Sequence, residues 1–437
     1  MNERSTDRTA AIETPQQQNQ GQRQGQRQNR AAEAPSAEGP AIWSRNFRYY
    51  FTARSAGLLG WAMLPVAVSA GLLSGGYGLS TAGYAMAFLV GPFAGLVLFG
   101  GVLADRFTAR RMMMAADLSN LTAHVLLAFL FFHGIGHLWE LYAVLVLAGT
   151  ANAMFQPGAS STVPLVAWDV QGANGVLRTS EALTGLGGPA LAGTLVGLGS
   201  TGWVMVISAV AYGTSSICLF SLRLGAVPAP PVGESLWRNL VAGWHEFRGR
   251  SWLWGVIVIW MFYAILSWGP QLSVAASVIV PRHGATAFGL LNCALGAGTV
   301  SGGLLAIRYK PARPLAAGAV AMLAYPLYPL GIVLGWPVWL LAVAQVVVGF
   351  GIGVWGVMWA TSVQTQVPGE VLNRVHAYEV AGSVGMYPIG SALAGPAVGA
   401  FGTDPVLVVG IVAAVLTAVA LLVARPIRTL GRVPARA

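Results

Sequence analysis

The chain has 437 residues, of which 55% are hydrophobic and only 9% charged. A soluble domain carries roughly 25% charged residues, so water is excluded as the main solvent. The formal charge of +10 is spread too thinly for a nucleic-acid-binding stripe, and nearly all of it is arginine, with Lys310 the only lysine.

In chain order, residues 1–46 read as a cytoplasmic tail. Up to Ala41 it is polar and low in complexity, with runs such as Gln17-Gln18-Asn19-Gln20. Such a segment cannot bury a core and is expected to be disordered. The first apolar run begins near Phe47, too late and too long for a cleavable signal peptide.

A helix needs about 20 apolar residues to cross the hydrocarbon layer. Twelve runs qualify: Tyr49–Leu73, Thr81–Ala104, Met112–His133, Trp139–Ala167, Val176–Leu198, Trp203–Leu222, Trp252–Val278, Ala285–Ile307, Leu315–Gly335, Val338–Val367, Tyr378–Ala400 and Pro405–Ala424. The glycines and prolines inside them are tolerated in membranes, where neighbouring helices re-satisfy the freed backbone groups.

Between the sixth and seventh runs lies the longest internal polar stretch. There Leu236, Leu240, Val241, Trp244 and Phe247 share one helical face, which reads as an amphipathic helix on the membrane surface. The division expected is 1–46 tail, 47–222 first six-helix bundle, 223–251 linker, 252–424 second bundle and 425–437 tail.

Arginine placement sets the orientation. With a cytoplasmic N-terminus, almost every basic residue outside the spans falls on the inner side, and the outer loops hold only Arg282. Basic loops are retained in the cytoplasm, so both termini are expected inside and the number of spans even.

Two internal echoes mark a duplication. Gly100-Gly101-Val102-Leu103-Ala104-Asp105-Arg106 returns as Gly302-Gly303-Leu304-Leu305-Ala306-Ile307-Arg308, 202 positions later. Gly188-Pro189-Ala190-Leu191 returns as Gly395-Pro396-Ala397-Val398, 207 positions later. Two similar membrane-embedded halves in one chain are a transporter design.

The segment Gly101-Val102-Leu103-Ala104-Asp105-Arg106-Phe107-Thr108-Ala109-Arg110-Arg111 resembles the loop signature of the major facilitator superfamily. The resemblance covers about Phe47 to Ala424 and implies an all-α membrane protein of twelve transmembrane helices in two six-helix pseudo-repeats. It implies that Gly101, Asp105, Arg106, Arg110 and Arg111 form a gating motif that latches the halves at the cytoplasmic side. Thr108 and Ala109 stand where the family has glycine and a basic residue. In the second copy Ile307 replaces Asp105, so the latch is expected to be asymmetric.

Gly185-Leu186-Gly187-Gly188-Pro189-Ala190-Leu191-Ala192-Gly193 is similar to the fifth-span packing signature of proton-exchanging exporters in this family, with Gly185, Gly188, Pro189 and Gly193 as its packing residues. Tight packing alone would also favour such a sequence. Val357 to Ser383, with Trp359, Gln364, Pro368-Gly369-Glu370, Arg374 and Tyr378, looks like the branch that holds macrolide-efflux and siderophore-export proteins.

Ionisable residues inside the spans are few, and each costs about 2.5–3.5 kcal/mol at mid-depth. They are Arg54, Asp117, Arg178, Glu181 and Glu379, with Glu140 near the outer surface. Arg178 and Glu181, three apart on a helix, are expected to pair, and Arg54 needs a partner. Two readings stand: structural gating pairs, or uptake of the coupling proton by Asp117 or Glu181.

Cargo contacts are expected from Trp61, Asn152, Gln156, Trp260, Gln271, Asn292, Trp355, Trp359 and Gln364, because walls rich in aromatic residues bind bulky apolar ligands by shape. Tryptophans can equally sit in the interfacial belt. No nucleotide loop, catalytic cluster or metal spacing appears, and the two cysteines, Cys218 and Cys293, read as buried hydrophobes.

The combined expectation is a secondary transporter of the bacterial cytoplasmic membrane, acting as a monomer without cofactor, metal or nucleic acid. It would export a small amphipathic organic molecule by alternating access, driven by protons. An importer on the same fold, or a non-transporting membrane sensor, are the alternatives.

Overall fold

The computed structural model describes residues 42–77, 79–198, 200–224 and 244–433; at 79–80, 93–95, 97–102, 104–106, 272–273, 285 and 384 it describes the backbone alone. The polar tail to Ala41 lies outside the described residues, as do Leu236, Leu240 and Val241 of the expected surface helix.

Among the described residues twelve long helices follow one another. The first six are α1 (Arg45–Ser74), α2 (Leu79–Phe107), α3 (Ala109–His133), α4 (Leu138–Val166), α5 (Val170–Gly197) and α6 (Thr201–Ser221). The second six are α7 (Ser251–Gly284), α8 (Thr286–Arg308), α9 (Pro314–Val333), α10 (Val338–Gln366), α11 (Gly369–Phe401) and α12 (Thr403–Val423). Among the described residues ten of them, all but α2 and α5, are long and apolar enough to cross a membrane. Helix α5 is the polar member, with Gln171, Asn174, Arg178 and Glu181 in its first half.

The second half repeats the packing of the first. Helix α2 packs on α4 as α8 packs on α10; α3 packs on α6 as α9 packs on α12; α1 packs on α5 and α6 as α7 packs on α11 and α12. Large apolar side chains such as Phe129, Phe220, Leu416 and Val423 stay exposed on the outer faces, where lipid is the natural solvent.

Close approach explains why α2–α4 and α8–α10 are the tightest pairs. A Cβ on Gly149 would lie 2.0 Å from the Leu89 carbonyl oxygen, and one on Gly349 would lie 2.0 Å from that of Leu295. In the second half Gly298 and Gly302 of α8 face Gly349 and Gly353 of α10, so small residues four apart meet on both helices. Without a hydrophobic drive between helices in lipid, such backbone proximity supplies the packing energy.

Where the apolar runs and the helices differ, polarity is the reason. Helix α5 starts at Val170 rather than Val176 and α11 at Gly369 rather than Tyr378. Their polar starts are helical because side chains in the first two turns are buried against protein, with Gln171, Asn174, Asn373 and Arg374 all buried. Helix α7 carries a π-turn at Ala264–Trp268 just before Pro270, which cannot donate a backbone hydrogen bond. Cys293, expected inside, is exposed on α8, and Cys218 is half-buried.

The arginine-rich loops gather at one end. Ser44 Oγ at the start of α1 donates to the Val166 carbonyl at 2.9 Å, and the Arg432 amide donates to the Ala312 carbonyl at 2.9 Å. Asn46 Nδ2 donates to the Arg223 carbonyl after α6 at 2.9 Å. The start of α1, the loops after α2, α4, α6, α8 and α10, and the exit of α12 therefore share this basic end.

Candidate functional site

The halves are bonded to each other at the basic end. Asp169 caps α5 by accepting from the Gly172 amide at 3.1 Å, and its second oxygen pairs with Lys310 in the α8–α9 loop. Two residues on, Gln171 Nε2 donates to the carbonyls of Ala306 at 2.8 Å and Tyr309 at 2.7 Å. Asn174 Nδ2 then reaches α10, donating to Gln364 Oε1 at 2.8 Å and Thr361 Oγ1 at 3.1 Å.

Backbone contact completes this seam. A Cβ on Gly175 would lie 2.8 Å from the Gly303 carbonyl oxygen and 2.5 Å from the Ile307 side chain. The second copy of the repeated heptapeptide thus lies on α5, and Ile307 is apolar where it meets a glycine. A second seam joins α4 to α11: Ser160 Oγ and His376 Nε2 are hydrogen-bonded at 2.7 Å. His376 Nδ1 in turn donates to Glu379 Oε2 at 2.6 Å, and Trp359 Nε1 donates to Glu379 Oε1. All the hydrogen bonds and ion pairs between the halves, among the described residues, lie in this basic half of the molecule.

Directly behind the seal is a cavity of about 140 Å³ lined by Tyr50, Arg54, Ser160, Asn174, Arg178 and Glu181 of the first half and by Gly356, Ala360 and Gln364 of α10. Its chemistry is set by one carboxylate and two guanidinium groups. Arg54 Nη2 lies 3.2 Å from Glu181 Oε1, and Arg178 Nη1 lies 3.1 Å from Glu181 Oε2. Arg54 also donates to Gln156 Oε1 at 3.4 Å and lies 5.6 Å from the Phe155 ring centre. Arg178 rests against the backbone of Gly356, where a Cβ would come within 3.1 Å of its Nε. The larger cavity, about 330 Å³, is at the opposite end of the second half around Arg282, His283 and Trp336; it touches none of the expected site residues.

Asp117 sits apart, between α1, α3 and α6. It is 1% exposed and accepts from Ser215 Oγ, with no basic side chain in ion-pair range among the described residues. Asn120 and His124 continue its line along α3. Both are buried, and Asn120 Oδ1 and His124 Nε2 have no partner. The His124 ring lies 4.9 Å from that of Tyr212, tilted by 43°.

The aromatic wall belongs to the second half. Trp260 stacks on Trp355 at 5.7 Å, and Trp355 on Trp359 at 6.1 Å with the planes 8° apart. Trp268 and Trp252 close the two ends of this ladder edge-on.

Of the expected residues, the structure therefore brings together Arg54, Gln156, Arg178, Glu181 and Gln364, and separately Trp260, Trp355, Trp359 and Glu379. Gln364 bonds the other half instead of standing free for cargo. Asn292 donates to its own helix at Phe288, 2.9 Å away. Trp61 packs into the core of the first half; Asn152 and Gln271 are half-buried and outside the charged cavity.

The motif residues divide as well. Gly188 lies on α1, where its Cβ would be 2.6 Å from that of Ala62, while Gly185 and Gly193 face open space among the described residues. Pro189 follows Gly188 inside α5 without ending it. Gly101, Asp105 and Arg106 are helical residues near the end of α2, and their side chains lie outside the described residues. Arg110 does not reach the other half: its Nε donates to the Leu219 carbonyl at 2.9 Å and its Nη2 to that of Phe220. It thereby caps the C-terminus of α6, while Arg111 is exposed.

Ser160, Asn174, His376, Tyr50 and His124 had drawn no attention in the sequence. Their only signal is polarity at or beside an apolar run, and it does not name the partner.

Comparison with known proteins agrees with this architecture. The bacterial relative described as "Uncharacterized MFS-type transporter YvqJ" of Bacillus subtilis (strain 168) is 23% identical over 400 residues, covering 88% of this chain and 93% of the relative. Three solved structures share the fold. The human organic anion transporter MFSD10 (TETRAN) superposes with a TM-score of 0.68 at 14% identity, covering 86% of this chain and 98% of that one. The E. coli fucose:proton symporter FucP gives 0.67 at 10% identity, covering 86% and 97%. A bacterial homologue of the iron transporter ferroportin in an outward-facing state gives 0.66 at 16% identity, covering 87% and 98%. The profile of the Major Facilitator Superfamily matches residues 50–386, and the chain belongs to that superfamily of membrane transporters.

Proposed function

We propose that the protein exports a small amphipathic organic molecule, such as a drug, antibiotic or secondary metabolite, across the bacterial cytoplasmic membrane in exchange for entering protons. The basic end is cytoplasmic in this reading, following the retention of arginine-rich loops on the inner side. Closure at that end makes the present state outward-facing. The cycle rocks the 47–222 bundle against the 252–424 bundle about the charged cavity. One chain completes the cavity, so a monomer suffices.

The observation that carries the reading is the cavity itself: both halves wall it, it holds fixed charge, and among the described residues the hydrogen bonds and ion pairs between the halves lie at the basic end beside it. The exporter direction is supported by the resemblance of the 185–193 segment, with Gly188 tight on α1, to the packing signature of exporters. Asp105, Arg106 and Arg111 keep their proposed part in the gate.

Among the candidate proton carriers, Asp117 is favoured. Glu181 already serves two arginines, and Glu379 is held by His376 and Trp359. Asp117 has a single hydroxyl partner, so gaining or losing a proton disrupts no ion pair.

The test is transport by everted and right-side-out vesicles under an imposed pH gradient, with substrates chosen from drug-susceptibility and secretion profiles of cells with and without the protein. Accumulation in everted vesicles that collapses with the gradient is expected. Accumulation in right-side-out vesicles would make the protein an importer, and gradient-independent flux would remove the proton from the scheme.

A further inference from the structure

The charges in the cavity do not balance. Two guanidinium groups, Arg54 and Arg178, share one carboxylate, Glu181. Among the described residues no other acidic side chain lines the cavity. An uncompensated positive charge is thus held in the membrane interior, where charge is costly and marks a substrate or ion pathway.

The hydrogen-bond inventory points the same way. Both oxygens of Glu181 are taken. Tyr50 donates its hydroxyl hydrogen to the Ala159 carbonyl at 2.7 Å, and Asn174 spends its amide on the other half. Each arginine carries five N–H donors, and the bonds to Glu181 and Gln156 use only part of them. Arg178 Nε is buried with no partner. An ammonium entering here would have to displace two arginines from Glu181. An acid group would find donors waiting.

We infer that the cargo is an organic anion, whose carboxylate- or phosphate-type group docks on Arg54 and Arg178 and takes over part of the role of Glu181. This deepens the transport reading and rests on it for the word cargo. Glu181 is then an internal counter-ion that holds the arginines in place when the cavity is empty and competes with the ligand when it is not. Gly356 belongs to the same device, because the bare helix face lets the Arg178 side chain lie flat against α10.

The test uses the full chain in lipid nanodiscs and three probes of one shape: naphthoate, naphthamide and naphthylmethylammonium. Naphthoate is expected to bind about tenfold more tightly than either of the others, a difference of about 1.4 kcal/mol. Arg54→Gln and Arg178→Gln should each erase that preference, and Arg54→Lys and Arg178→Lys should keep part of it. The sign at Glu181 is diagnostic: Glu181→Gln is expected to tighten naphthoate binding by severalfold, whereas a purely structural carboxylate would loosen it. Should a single arginine variant fail to fold, the Arg54→Gln, Arg178→Gln, Glu181→Gln triple variant removes all three charges together and should bind naphthoate no better than naphthamide.

Equal binding of the three probes, preference for the ammonium, or no naphthoate binding at all would overturn the inference. Binding needs neither gradient nor direction. Loss of the anion preference while everted vesicles still transport a neutral compound would therefore sink the anion and leave the exporter standing.

Discussion

The two halves share a set of helix pairings and differ in what they bury. The first half keeps its ionisable groups inside: Arg54, Asp117, Arg178 and Glu181, with His124 beside them. The second half buries rings, a ladder from Trp252 through Trp359, Trp355 and Trp260 to Trp268. Duplication supplied the frame, and divergence of the inner faces made one half electrostatic and the other a surface for apolar contact. The difference is tolerable because each of these buried charges has a partner or a hydroxyl, and each indole contributes apolar area, with Trp359 giving its N–H to Glu379. An amphipathic ligand bridging the halves would meet both kinds of surface.

The comparison can be broken most severely at its shared part. Gly149→Val and Gly349→Val place methyl groups against the facing carbonyl in equivalent helix pairs, at 2.0 Å for the Cβ alone. Each should cost about 3 kcal/mol or more, at or beyond the upper end of overpacking penalties. Melting temperatures of the purified protein in detergent would read this, and a large loss in only one half would mean that the frame is not truly duplicated.

The electrostatic half is sharpened next. Asp117→Asn is expected to leave cargo binding within about a factor of two, well under the tenfold that 1.4 kcal/mol represents, while export stops responding to a pH gradient. Proton flux and binding measured on the same vesicles separate these outcomes; unchanged coupling would move the carrier away from Asp117.

The seal between the halves comes third. Asn174→Ala removes both bonds to α10, and each such bond contributes about 0.5–1.5 kcal/mol. The balance should shift toward the inward-open state by about tenfold, as distances between spin labels on the α4–α5 and α10–α11 loops would show. A shift of similar sign and smaller size is expected for Ser160→Ala. No change in either would mean that the polar seam is incidental to closure.

The smallest effect is local. Thr108 forms the one-residue joint between α2 and α3 at φ 69°, in the left-handed region that a β-branched residue occupies at a cost of about 1–3 kcal/mol. Thr108→Gly should raise stability by about 1 kcal/mol, and a fall in melting temperature would show that the threonine side chain earns its place.

Much of the frame was legible because its causes are local or periodic. Twelve apolar runs, two glycine-rich echoes and the segregation of arginine each depend on neighbours in sequence. Arg178 and Glu181 could be paired from their spacing of three. What could not be read is every contact that crosses helices. Asn174 and Gln364 are 190 residues apart, and Ser160 and His376 are 216 apart. Arg110 sits in the signature loop, yet it spends its hydrogen bonds on the end of α6. The starts of α5 and α11 escaped the hydropathy pattern because their polar turns are shielded by protein rather than by lipid.

Composition and repetition by themselves determined that this chain lives in a bilayer as a duplicated set of helices, because backbone groups in hydrocarbon must be satisfied within each segment. Only the tertiary structure decided which buried polar groups meet, that two arginines close on one carboxylate, and that the hydrogen bonds and ion pairs between the halves, among the described residues, gather at the basic end. Those outcomes depend on how helices are rotated and paired, and the energy of a buried charge is settled by its nearest partners in space.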